Sequence, residues 1–77
     1  MNKGDFLTIM ERLEAAYPAR FDKMGEDGKV NFYKTWYSLL KDLDKKALWH
    51  AASYHIKTSK FFPTIAELRE LAKECGE

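Results

Sequence analysis

Residues 58–71 read TSKFFPTIAELREL, and the reading of this stretch decides the fold. Pro63 pushes Phe62 out of the α region, so a helix arriving from the N-terminal side must stop near Thr58 to Lys60. Thr64, followed three residues later by Glu67, is a capping-box pattern in which each side chain bonds the other's free backbone N–H. Pro63, directly before the cap, is placed to pack on Leu68 as a hydrophobic staple. The stretch is a helix stop, an extended pre-proline residue and a capped restart, which together make a rigid corner between two helices. Phe61 or Phe62 can plug the end of the bundle where those helices diverge.

Working outward, the helix after the corner carries Ile65, Leu68, Leu71 and Ala72 on its apolar face, and Gly76 is its expected end. The helix before it is capped by Asp44 and buries Leu48, Ala51, Ala52, His55 and Ile56, with two alanines that allow a neighbouring helix to approach closely. A further helix, from about Gly28 to Leu43, turns Val30, Tyr33, Trp36, Tyr37, Leu40 and Leu43 inward. The first helix runs from Asn2 or Asp5 to Tyr17, with Phe6, Ile9, Met10, Leu13, Ala16 and Tyr17 on one stripe and Lys3, Glu11, Arg12 and Glu14 opposite. Pro18 ends it. Residues 18–29, PARFDKMGEDGK, read as the longest connection, from which Phe21 and Met24 fold onto the core or form a short helical turn. No segment alternates as a strand would. The expected fold is all-α, a compact four-helix domain over residues 1–77. Its helices lie at about 3–17, 29–43, 45–59 and 65–75, with one longer loop between the first and second.

Hydrophobic residues make up 45% of the 77 and aromatics 14%, enough for a core. A single core this small rarely supplies more than ~3–5 kcal/mol, so most large apolar residues must be structural. The net charge of +1, from 13 Lys and Arg against 12 Asp and Glu, lacks the basic excess expected of a nucleic-acid binder. The lone Cys75 excludes an internal disulfide or a cysteine metal cluster and fits a reducing cytosol. The start MNKGDFLTIMERLE is unlike a signal peptide, and no apolar run approaches the ~18 residues of a membrane span. A soluble, cytoplasmic protein with no membrane association is expected.

Catalytic constellations are missing. His50 and His55 are five apart, so on a helix they diverge, whereas helical metal-binding histidines sit at i and i+4; His55 on the apolar stripe reads as a hydrogen-bonded core or boundary residue. Cys75 in the last turn lacks an activating environment. Gly25 and Gly28 are flanked by acids that would repel a phosphate. No enzymatic activity, metal or cofactor is expected. Lys41, Lys45, Lys46, Lys57 and Lys60 form a lysine-dense tract that reads as a solvated rim interleaved with Asp42 and Asp44. Phe32, Tyr33, Trp36, Tyr37 and Trp49 exceed what the inner stripes hold, so either the stripes are broad or one ring belongs to an exposed partner-binding patch. The candidate partner-binding residues are Phe32, Trp49, Phe61, Lys57 and Lys60.

Three segments carry a family resemblance: ERLEAAYP, FYKTWYSLLKDLDKKALWHAASYHIKTSKF and FPTIAELRE. In the order and spacing of Ala16-Tyr17-Pro18, Trp36 with Leu40, and Lys60-Phe61 through Thr64-Ile65-Ala66-Glu67, the chain resembles the N-terminal helical domain of the phage replicative-helicase loader and inhibitor family. The resemblance implies a non-enzymatic DNA-replication protein, phage or prophage encoded. Its implied partners are the hexameric replicative helicase, which it holds inactive, and an origin-bound initiator protein, to which it passes that helicase. It also implies a helicase-contacting tail beyond Glu77. The sequence departs from the family at Phe62, where a second proline is often found. A small helical nucleic-acid-binding domain of a phage replication protein is the alternative, although direct nucleic-acid binding is not expected from the charge balance.

Overall fold

Five helices follow one another along the chain in the computed structural model, which describes residues 1–75: α1 (Lys3–Ala16), α2 (Pro18–Asp22), α3 (Gly25–Leu40), α4 (Lys45–Thr58) and α5 (Ile65–Cys75). The architecture is all-helical, with no strand among the described residues. The helix end expected at Gly76 lies outside them.

Two expectations are corrected. The count is five rather than four, because Pro18 both stops α1 and occupies the first turn of α2, where its fixed φ and missing N–H do no harm. The long loop expected over 18–29 is mostly helix, and α3 starts at Gly25 rather than near residue 29. Glu26 and Asp27 fall in the first turn of α3, where carboxylates complement the helix dipole. Gly25 adopts φ +69, and a Cβ there would meet no atom within 4 Å. Glycine is therefore required at this turn by the left-handed backbone and not by crowding. At their C-terminal ends α1, α3 and α4 stop at Ala16, Leu40 and Thr58, each short of the expected 17, 43 and 59.

Local caps set the other starts. The Asn2 side chain accepts from the Asp5 N–H at 2.8 Å, and the Asp44 carboxylate accepts from the N–H groups of Lys46 and Ala47 at 3.1 and 3.4 Å. At α5 the box is reciprocal: the Thr64 N–H donates to Glu67 at 2.9 Å and the Glu67 N–H to Thr64 Oγ1 at 3.1 Å.

The core gathers Phe6, Ile9, Met10 and Leu13 of α1, Trp36 and Leu40 of α3, Ala47, Leu48, Ala51 and Ala52 of α4, and Leu68 and Ala72 of α5. The closest packing is between α4 and α5, because fully buried Ala51 and Ala52 let the backbones approach. Arg69 of α5 donates twice to the Asp42 carboxylate, at 2.8 and 2.9 Å, and once to the Leu39 carbonyl at 2.8 Å, which fastens α5 to the end of α3. The Arg69 hydrogen bond holds the Asp42 carboxyl below its usual range.

Glu14 links α1 to α3. It accepts from the Lys29 ammonium and, at 2.9 Å, from the Tyr33 hydroxyl. The Lys29 bond holds the Glu14 carboxyl below its ordinary 4.5. Burial, and then the Glu14 hydrogen bond, push the Tyr33 phenol up from 10.0 to about 12. Below pH ~10 this phenol is protonated whether the chain is folded or not, and its contribution to stability is whole. Between ~10 and ~12 the unfolded chain loses the proton first, so stability falls as pH rises. At the acid end the Glu14 contribution is present above about 4.5 and is lost as pH falls below it. Denaturation midpoints against pH should show both losses in the wild type. Tyr33→Phe should flatten the alkaline limb; an unchanged limb would mean that Tyr33 ionises normally.

Candidate partner-binding surfaces

The corner after α4 is held by hydrogen bonds that decide which phenylalanine turns inward. The Nε2–H of buried His55 donates to the Phe61 carbonyl at 2.8 Å, which fixes that tautomer. The Tyr17 hydroxyl donates to the Ser59 carbonyl at 2.8 Å, and the Phe61 N–H donates to Ser59 Oγ at 3.2 Å. Phe62 then points into the molecule and Phe61 is left 70% exposed. Phe62 meets Tyr17, Phe21, Phe32 and Trp36 with ring centroids 5.4–5.9 Å apart, and the Arg20 guanidinium lies 5.5 Å from both the Phe32 and Phe62 rings. Tilted and edge-on contacts at these distances are favourable.

This arrangement sorts the candidate residues. Phe32 is half-buried in the aromatic cluster, stacked on Trp36 at 4.7 Å, and presents no free face as an anchor. Trp49 is also half-buried; the Arg12 guanidinium sits 4.7 Å from its ring, beside a shallow groove lined by Ile9, Lys45, Lys46 and His50. Lys57, Lys60 and Phe61 come together on one face, lining a depression after the end of α4, with the Lys60 ammonium 5.5 Å from the Phe61 ring.

A second surface escapes the periodicity. Val30, inward by its spacing, is 50% exposed, and Leu7 is 42% exposed. They rim a mostly apolar groove of about 290 Å³ between α1 and α3, whose floor is Phe6, Tyr33 and Tyr37 and whose edges carry Lys3 and Lys34. The two helices touch here mainly through large rings, with Phe6 edge-on to Tyr37 at 5.3 Å and to Tyr33 at 6.5 Å. Such spacing leaves a trough between the backbones. Val30 lies at the margin of the α3 apolar arc; the sequence signal is present, but a wheel cannot tell a margin residue from a core one. Among the described residues no group of three His, Cys, Asp or Glu side chains could hold a metal ion, and no helix is long and apolar enough to cross a membrane.

The fold and these surfaces define a small all-helical module whose exposed features are an apolar groove and a basic, aromatic face. The family model for the N-terminal domain of the gene-thirty-nine protein, a phage helicase loader and inhibitor, matches residues 1–69. The chain belongs to this family. The match takes in α1 through α4, the corner and the first half of α5. No curated protein and no solved structure was found to match the chain.

Proposed function

We propose that this chain is the interaction domain of a non-enzymatic phage or prophage DNA-replication protein that acts in the bacterial cytoplasm. It binds the hexameric replicative helicase, holds it inactive and delivers it to the origin-bound initiator. The family match over residues 1–69 carries this reading. In the resembling family the helicase-contacting tail follows the helical domain, which leaves the domain's own surface for the initiator. The α1–α3 groove suits that role. Exposed Leu7 and Val30 offer apolar contact, and Lys3 and Lys34 select a segment that brings one or two apolar side chains flanked by carboxylates.

Native mass spectrometry of the full-length gene product with the cognate helicase and initiator tests the reading. Capture of neither partner would sink it. Leu7→Glu and Val30→Glu should each weaken the initiator complex by tenfold or more on the order-of-magnitude scale of buried interface anchors. Both positions are open to solvent, so thermal melting should stay near that of the wild type. Initiator binding that survives both changes would move the protein contact off this groove.

A further inference from the structure

The outer face of α4 carries lysines, a histidine and exposed rings in alternation, and the structure takes away the acids that interleave with them in sequence. Asp42 is engaged by Arg69 and Asp44 is turned into the helix cap. Within α4 itself, KKALWHAASYHIKT, there is no Asp or Glu. Lys46, His50 and Tyr54 stand at successive i+4 steps with Lys57 next in line, so they share the side opposite the buried Leu48, Ala51, Ala52 and His55. The surface is continuous. The hollow of Lys46, Trp49 and His50 shares His50 with that of His50, Tyr54 and Lys57, which in turn shares Lys57 with the hollow of Lys57, Lys60 and Phe61. Tyr54 is 55% exposed and Phe61 more so. At 1.5 Å per residue, Lys46 to Lys57 spans ~17 Å, and the corner extends the track.

We infer that this stripe binds a single nucleic-acid strand, with Lys46, Lys57 and Lys60 at the phosphates and Tyr54 and Phe61 stacking on bases. Positive charge tracking a backbone with interleaved rings is the chemistry of non-specific single-strand binding. The stripe is shallow and open, without the enclosed pocket that a protein anchor side chain fills. A duplex keeps its bases stacked internally and would have no use for the two exposed rings. The inference stands apart from the initiator reading, because it uses a different face of the molecule.

The test is fluorescence anisotropy of a labelled short oligothymidylate titrated with the protein at several salt concentrations. Three lysine–phosphate contacts should give a slope of about −2 in log affinity against log salt, a loss of roughly twentyfold between ~50 and ~200 mM. Lys57→Glu with Lys60→Glu should weaken binding at least ~tenfold, and Tyr54→Ala or Phe61→Ala by about fivefold or more each. All four positions are exposed, and unchanged circular dichroism melts establish that the variants are folded. Leu7→Glu, on the other face, should bind the oligonucleotide as the wild type does. Absence of binding at low salt overturns the inference. So does binding that is indifferent to both ring substitutions and competed equally by polyglutamate, since the stripe would then be a general acceptor for acidic proteins.

Discussion

Trp36→Ala is expected to leave the domain largely unfolded at room temperature. The side chain is 8% exposed, stacks on Phe32 at 4.7 Å and meets Phe62 at 5.4 Å. Truncating a buried tryptophan costs about 3–5 kcal/mol, from lost transfer energy and the cavity left behind. That equals the ~3–5 kcal/mol a single core of this size supplies. Urea unfolding followed by circular dichroism, with Trp49 as the remaining fluorophore, measures the loss. Trp36→Phe keeps most of the stacking area and should fold with a smaller penalty, on the order of 1–2 kcal/mol. A Trp36→Ala midpoint within about 1 kcal/mol of the wild type would show that the aromatic layer is not what supports the core.

The adjacent phenylalanines of the corner should behave oppositely. Phe62→Ala is expected to cost about 3 kcal/mol, because its ring is shared by Tyr17, Phe21, Phe32 and Trp36, which come from α3, from α2 and from the junction between α1 and α2. Phe61→Ala should change stability by less than ~0.5 kcal/mol, as surface substitutions usually do. Phe62 and Trp36 are in contact, so a double-mutant cycle between them should show coupling and not simple addition. Equal effects at 61 and 62 would contradict the inward and outward division at the corner. The contrast also separates roles, since Phe61→Ala is expected to weaken strand binding without touching the fold.

That division explains why part of the candidate site could not be read from the chain. Pro63 makes the segment before it extended, and in an extended segment neighbouring side chains point to opposite sides. One phenylalanine had to face in and one out. The choice is made by His55 and Tyr17, from elsewhere in the chain, whose hydrogen bonds hold the carbonyls of Phe61 and Ser59. Phe32 is not the free ring its position off the α3 stripe suggests, for a similar reason. Its burial depends on Phe21, delivered by a short helix in a segment that reads as a loop. Val30 departs in the other direction, because a residue at the margin of an apolar arc is buried only if a neighbour reaches it. Here α1 and α3 are held apart by rings.

Helix positions, the caps at Asp44 and Thr64, the stop before Pro63 and the family are properties of the sequence alone. They rest on spacing, on local backbone sterics and on hydrogen bonds within a few residues. Helix count at Pro18 to Asp22, the fate of each exposed ring and the freeing of the α4 lysines from Asp42 and Asp44 needed the tertiary structure. Each is settled by contact between residues far apart in the chain, such as Arg69 with Asp42 or Phe62 with Phe21. Local rules constrain such pairings without selecting among them.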